Sequence, residues 1–326
     1  MTPAAIWYGR HPASALLAPL AWAYCAVVAA RRAAYRHGLF ASRRVGVPVI
    51  VVGNLTVGGT GKTPLVLWLA DWLAGQGRRP GILVRGYRGR AERWPQRVQP
   101  DSDPALVGDE AVLLARRSGC PVAAGPDRVA AAAMLTAEGG CDIIVSDDGL
   151  QHYRLTRDLE ILVLDGARGL GNGRCLPAGP LREPARRLAS VDLVVCHGSD
   201  CFGGYRMDLV GDRLTAVADP ARTMDLAALR GRAVTAVAGI GNPERFFARL
   251  RVAGLAPTER PYSDHHPFSP ADAGRWPAGP VLMTEKDAVK CAAFAGADHW
   301  YLPVVARLDA AFTTELKQRI EALAHG

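Results

Sequence analysis

Lysine is scarce in this chain. Only Lys62, Lys286, Lys290 and Lys317 occur among 39 basic residues, the others being arginine. Against that background a lysine marks a place where a compact, point-like ammonium serves better than a planar guanidinium, although Lys317 lies in a late helical pattern and reads as a solvated surface residue. Aromatic residues make up 7% and interleave with no basic tract. The stacking platform of single-strand nucleic-acid binders is therefore missing, and no nucleic-acid partner is expected. The seven cysteines contain no C-x-x-C pair, and their odd number and irregular spacing argue against a disulfide framework or a zinc site and for a reducing cytoplasm. Cys120, Cys141, Cys196 and Cys291 lie in or beside apolar runs and read as small core residues. No asparagine precedes a lysine, so the Asn-Lys-x-Asp guanine-reading motif of switch NTPases is excluded, and no Leu-Ser-Gly-Gly-Gln-like transporter tract occurs. Internal repeats and low-complexity linkers are also absent.

What remains is a globular chain of 326 residues, 49% hydrophobic and 21% charged, with a net charge of +8. The length suits one large domain or two modest ones. The basic surplus suits an anionic membrane or a phosphorylated substrate. Pro12 to Ala30 carries no charge, and Arg31, Arg32, Arg36, Arg43 and Arg44 follow it. A signal peptide would have its positive cluster first. The run is borderline in length for a span, rich in alanine and interrupted by Pro19. An interfacial helix with arginines on phosphate headgroups is therefore favoured over a true span or a soluble core helix.

Beyond it the texture alternates. Strand patterns occur at 47–52, 81–84, 121–124, 142–146, 159–164, 191–196, 233–238 and 281–284, and helical patterns at 64–76, 111–117, 126–138, 243–250 and 310–324. Such alternation predicts parallel β-α-β units in a doubly wound α/β sheet. Residues 206–210 and 213–217 flank Gly211-Asp212 and resemble a hairpin, a candidate inter-domain connector.

The segment from Gly53 to Pro64 falls between a strand and a helix and contains Gly61-Lys62-Thr63. That is the setting of a phosphate-binding P-loop. Backbone N–H groups of Thr56, Val57, Gly58, Gly59, Thr60, Gly61, Lys62 and Thr63 would line phosphate oxygens, Lys62 would reach the β- and γ-phosphates, and the Thr63 hydroxyl would ligate Mg²⁺. The usual first glycine is replaced by Thr56. Asp147 and Asp148 end an apolar strand, where a Walker B acid must stand to hold Mg²⁺ directly or through water. Gln151 and His152 extend that polar cluster.

These blocks, with Arg85-Gly86-Tyr87-Arg88-Gly89, Val107-Gly108-Asp109-Glu110, Asp147 through His152, Leu176 through Pro184, Asp264 through Phe268 and Thr284 through Lys290, resemble the tetraacyldisaccharide 4′-kinase family of lipid A and lipopolysaccharide biosynthesis. The resemblance implies a P-loop NTPase-like, mostly parallel doubly wound sheet, a second, smaller α/β domain and a membrane-associated N-terminal helix. It implies ATP and Mg²⁺ as cofactors, with γ-phosphate transfer to the 4′-hydroxyl of a lipid-linked tetraacyldisaccharide 1-phosphate at the cytoplasmic face of the bacterial inner membrane. The expected division is residues 1–45 for the helical segment, 46–205 for the nucleotide domain, 206–218 for a two-stranded linker and 219–326 for the second domain. Carried over by position, Asp109 matches the catalytic base and His265 its partner. Arg182 matches an arginine near the phosphates or the lipid head group, and Tyr87, Glu110, Gln151 and His152 match residues lining the substrate site. Lys286 is left open, between a site role and a structural ion pair. The apolar N-terminal run argues against a kinase of soluble small molecules, and the missing guanine-reading motif against a membrane-bound switch.

Overall fold

The N-terminal segment folds as α1 (Pro3–Tyr8), α2 (Ala13–Leu16) and α3 (Ala18–Arg36) in a computed structural model that describes residues 3–9, 11–199 and 202–324. Arg10 and Cys201 fall outside the described residues. Pro19 does not interrupt α3. It sits in the first turn, where a missing N–H goes unnoticed. Leu16, Leu20, Trp22 and Val27 point to solvent, whereas Ala18 and Ala21 are buried. No helix among the described residues is long and apolar enough to cross a membrane.

The β-branched run Val49–Gly53 forms β1, whose five residues are all buried, as expected of a strand covered on both faces. In chain order follow α4 (Lys62–Gly75), β2 (Pro80–Val84), β3 (Gln96–Val98), α5 (Pro104–Val107), α6 (Asp109–Ser118), β4 (Val122–Ala124), α7 (Arg128–Ala137), β5 (Ile143–Asp147), β6 (Leu159–Asp165), β7 (Leu193–His197) and β8 (Tyr205–Val210). Then come β9 (Arg213–Ala216), β10 (Thr223–Asp225), β11 (Thr235–Ala238), α8 (Pro243–Val252), β12 (Thr258–Pro261), α9 (Pro270–Ala273), β13 (Val281–Thr284), α10 (Glu285–Cys291), β14 (His299–Leu302), β15 (Val305–Leu308) and α11 (Ala310–Ala324).

Two sheets result. The larger has nine strands in the order β15-β8-β7-β6-β1-β5-β2-β4-β3, parallel except at its two edges, where β15 and β3 run antiparallel to their neighbours. The smaller has six strands in the order β10-β9-β14-β13-β11-β12, parallel from β14 to β12. The mostly parallel, doubly wound α/β architecture expected from the sequence is what forms. Because β1 lies inside the larger sheet between β6 and β5, the loop after β1 opens at the carboxyl ends of the central strands, where such sheets bind ligands.

Three expectations are corrected. Residues 206–210 and 213–217 do not pair as a hairpin. β8 joins β7 and β15, while β9 joins β10 and β14. Gly211-Asp212 is a point of divergence because the Arg249 guanidinium donates to the carbonyl oxygens of Leu209 and Gly211. The stretch after residue 304 also leaves the smaller sheet. β15 pairs along β8, and Phe312, Leu316 and Ile320 of α11 pack into the same core as Leu65, Leu69 and Leu73 of α4. Finally, the cysteines do form disulfides. Cys25 of α3 is joined to Cys175, with Cα atoms 6.4 Å apart, and Cys196 is disulfide-bonded as well. A separation of 150 residues hid the first pair from the sequence. Cys141 and Cys291 are buried, as core residues should be.

The chain thus passes twice between the sheets, at 210–213 and at 302–305, and the two passes touch. A Cβ at Gly211 would collide with the Pro303 carbonyl oxygen, which belongs to backbone and cannot rotate away. Gly211→Ala is therefore expected to cost about 1–3 kcal/mol, the usual penalty of forced overpacking. Thermal unfolding should show a melting temperature lowered by several degrees, and an unchanged melting temperature would contradict the close approach.

Candidate active site

The loop after β1 is shaped by two neighbours. Asn54, buried, donates from Nδ2 to the Thr56 carbonyl at 2.7 Å and to the Gly58 carbonyl at 3.3 Å. The segment at 180–182 runs antiparallel along the loop, with Val57 N–H donating to Pro180 O at 2.9 Å, Arg182 N–H to Leu55 O at 2.6 Å, and Thr56 bridging Leu181. This pairing explains Thr56. The loop is extended there, so no glycine is required. Gly61, at φ +95°, ends the loop and α4 begins at Lys62, so the helix N-terminus faces the loop's interior.

Around Lys62 stand the expected acids. Asp148 lies 3.4 Å from Lys62 Nζ and accepts from Arg182 at 2.9 Å on both oxygens. Burial raises its pKa, but Lys62 and Arg182 outweigh burial and hold the carboxyl well below the usual range. Asp147 is its opposite. Burial pushes it up to about 7, with Glu110 and Asp148 adding to the shift and Lys62 and Arg128 opposing it. Its Oδ1 is buried without a hydrogen-bond partner among the described residues. An orphaned carboxylate oxygen next to a second carboxylate offers hard oxygen donors, which suits Mg²⁺.

The second lobe closes on this loop. Gly241, just after β11, lies so near Gly58 and Gly59 that a Cβ there would sit 3.1 Å from the Gly59 nitrogen and 3.3 Å from Asp264 Oδ2. His265 N–H donates to Gly239 O at 3.0 Å, and His265 Nδ1 lies 3.1 Å from Asp109 Oδ2 at the start of α6. Two backbones are strained to achieve this. His265 has φ +57° and Arg88, whose guanidinium donates to His265 O at 2.8 Å, has φ +62°. Such left-handed conformations in non-glycine residues concentrate at functional sites. Asp148, at φ +49°, is another. Ahead of Asp109, Gly108 has φ +94° and abuts the Tyr87 carbonyl oxygen, where a Cβ would come within 2.8 Å. The Asp109 carboxyl, although burial pushes it up, is held below its ordinary value by the His265 hydrogen bond and by Lys286.

The structure gathers Lys62, Asp148 and Arg182 in one cluster and Asp109, Glu110, Tyr87 and His265 in a second, with Asp147 near enough to both to feel Glu110 and Lys62. Tyr87 is half-exposed, its ring centroid 5.0 Å from that of His265 in an edge-to-face arrangement. Glu110 accepts from Lys286 Nζ at 2.9 Å. Gln151 donates to Glu183 Oε1 at 2.8 Å and to Asn54 O at 3.3 Å, so its amide braces the loop. His152 is held neutral, with burial and Arg128 bringing its pKa down to about 4.

Four residues to which the sequence reading gave no role of their own belong to the same network, although Asn54, Arg88 and Glu183 stand inside its motif blocks. Arg128, fully buried, donates to the Asp147 carbonyl at 2.9 Å, and burial lowers its pKa to about 10. Glu183 binds Gln151 and the Tyr153 hydroxyl and pairs with the buried Arg187 at 3.5 Å. Asn54 and Arg88 complete the set. Arg128 opens a helix with ordinary periodicity, so only its Pro-Asp-Arg setting could have drawn notice.

Residues 13–321 match the family described as LpxK, tetraacyldisaccharide-1-P 4′-kinase. A tetraacyldisaccharide 4′-kinase of Alkalilimnicola ehrlichii is 54% identical over 321 residues, covering 98% of this chain and 95% of the relative. One from Nitrosococcus oceani is 50% identical over 318 residues, covering 98% and 94%. A crystal structure described as the "apo" form of LpxK from Aquifex aeolicus in complex with ATP superposes with a TM-score of 0.78 at 27% identity, covering 95% of this chain and 99% of that one.

The Asp147 carboxyl supplies a test of the site's electrostatics. A carboxyl raised by folding binds its proton more tightly in the folded state. Its contribution is fully present below the unfolded value near 3.9 and is lost as pH rises to about 7. Asp147→Asn mimics the protonated form. In chelator it should melt several degrees above the parent at pH 8, the gap closing towards pH 4. A gap that does not vary with pH would show that burial does not raise this carboxyl.

Proposed function

This chain belongs to the tetraacyldisaccharide-1-P 4′-kinase family and is an ATP-dependent kinase that phosphorylates the 4′-hydroxyl of a tetraacyldisaccharide 1-phosphate in lipid A biosynthesis, and on that premise we propose that the phosphoryl group moves in the cleft between the two lobes. The observation that carries this reading is the Asp109–His265 contact at 3.1 Å, which joins α6 of the larger lobe to the loop after β12 of the smaller one beside the Lys62 loop. In this reading the 56–63 amides and Lys62 hold the β- and γ-phosphates, and Arg182 offers its guanidinium to the charge that develops on the transferring group. Both cations pair with Asp148. Thr63, Asp147 and Asp148 would hold Mg²⁺, which supplies charge neutralisation to the bridging phosphate oxygens when bound.

The proton of the acceptor hydroxyl goes to the Asp109–His265 pair. A carboxyl whose pKa is lowered is a weak acceptor. We therefore assign the accepting atom to His265 Nε2, and to Asp109 the task of holding Nδ1–H and stabilising the imidazolium that forms. Tyr87 and Glu110, beside His265, lie on the side of the acceptor sugar. Gln151 and His152 sit on the side of Asp148 and brace the loop that carries it.

Substrate and membrane meet at α3. We place the exposed side chains of α3, among them Leu20, 60% exposed, and Trp22, 71% exposed, in the interfacial region of an anionic bilayer, the cytoplasmic face of the inner membrane, with Arg31, Arg36, Arg43 and Arg44 at headgroup level. Tyr24 of the same helix donates to the Arg182 carbonyl at 3.0 Å, so the docked helix is one bond from the phosphate-handling segment.

Asp109→Ala and His265→Ala are each expected to lower kcat by about 10²–10⁴-fold, the usual loss of a general base. Because the two act as one unit, the double variant should be scarcely slower than the slower single one. Fully multiplicative losses in a double-mutant cycle would require two independent residues and end the shared-base assignment. For the membrane reading, co-sedimentation with anionic liposomes is expected to fall sharply in Leu20→Glu/Trp22→Glu while ATP affinity is retained. Equal sedimentation of the variant and the parent would remove α3 from the membrane.

A further inference from the structure

His265 has a contact on each ring nitrogen. Nδ1 faces Asp109 Oδ2 at 3.1 Å, and Nε2 faces the ammonium of Lys286 at 3.2 Å. Lys286 belongs to α10 and is itself anchored, its Nζ lying 2.9 Å from Glu110 Oε1. Its side chain is 17% exposed. Burial works against the ammonium, but Glu110 and Asp109 outweigh burial and raise its pKa, so it stays charged.

The two contacts admit one arrangement of protons. A carboxylate accepts, so Nδ1 must carry the hydrogen. An ammonium donates, so Nε2 must offer its lone pair. A doubly protonated ring would turn an N–H against the ammonium at 3.2 Å. We propose that Lys286 is a positioning residue of the phosphoryl-transfer reaction, holding His265 in the neutral Nδ1–H tautomer with the Nε2 lone pair reserved for the acceptor hydroxyl. The proposal rests on the assignment of Nε2 as the proton acceptor.

The sequence of events balances. The incoming hydroxyl takes the place of Lys286 at Nε2, and the ammonium withdraws onto Glu110. As the oxygen attacks phosphorus, its proton passes to Nε2. The imidazolium then lies beside a like charge, which drives the proton on to water and resets the base. The other charges around the ring are fixed by the fold. Asp264 Oδ1 lies 3.8 Å from Nε2, and Arg88, from the loop after β2, holds the His265 carbonyl at 2.8 Å. Lys290 of α10 acts on Asp109 from a distance, and Tyr87 presents its ring edge. Among these groups Lys286 is the cation directed at Nε2, and the Glu110 carboxylate opposite it keeps it there.

NMR titration of the His265 ring in the full-length protein, with the pH profile of kcat for the acceptor measured alongside, tests this. In Lys286→Met, which keeps the apolar stem and removes the charge, the His265 midpoint is expected to move up by about one pH unit, a typical effect of one neighbouring charge. The acidic limb of the rate profile should move with it, so that the loss at the acid end exceeds the loss on the plateau by about tenfold. Lys286→Arg should keep the midpoint near that of the parent. Should the methionine variant not fold, Lys286→Gln carries the same comparison. An unmoved midpoint in the charge-removed variant overturns the proposal whatever happens to the rate. A midpoint that moves while the acidic limb stays in place overturns instead the assignment of His265 as the base.

Discussion

The seam between α6 and α10 governs the rest of the molecule. Glu110 and Arg117 lie two turns apart on one face of α6 and meet Lys286 and Glu285, the latter pair at 2.6 Å. Val289 of α10 is buried in the core of the larger lobe, among residues of α4 and α6. The apolar plug supplies attachment, and the half-buried ion pairs supply register, since paired charges in low dielectric specify geometry more than they add stability. Asp109 sits in the first turn of α6, so the register that docks the two helices also decides whether His265 reaches it.

The site's cations are held by its own carboxylates and imidazole. Asp148 is shared between Lys62 and Arg182, and Lys286 between Glu110 and His265. In the proposed reading phosphate and sugar exchange ionic contacts rather than create them, which limits the desolvation cost of entry. Asp147 keeps a buried oxygen without a hydrogen-bond partner among the described residues.

Local pattern carried much of this. The β-branched run before Gly53, the Gly-Lys-Thr at a helix start and the apolar strand ending in Asp147-Asp148 each reveal structure within a few residues, and β1, α4 and β5 lie where they indicate. The 206–217 stretch misled because two alternating strands about a Gly-Asp pair read as a turn. What parts them is a guanidinium from α8, some forty residues away. The Cys25–Cys175 bond, the partners of Lys286 and the return of α11 to the larger lobe depend likewise on contacts between distant segments, which no window of sequence contains. Thr56 was legible as a departure from the glycine pattern but not as a paired residue, because its partner Leu181 lies in a loop with no periodicity.

The antiparallel edge strand β15 has a consequence for how the protein is made. Its residues, 305–308, and the α11 side chains that cover α4 are among the last to be synthesised, yet they complete a sheet whose other strands end by residue 210. While the ribosome is still translating the smaller lobe, β8 presents an unpaired backbone edge, and the α4 surface around Trp68, which Phe312 later covers, stays uncovered. A nascent nucleotide-binding lobe therefore waits for the C-terminus before its fold can close. Ribosome stalling or premature termination within the smaller lobe leaves an aggregation-prone edge rather than a shorter working enzyme.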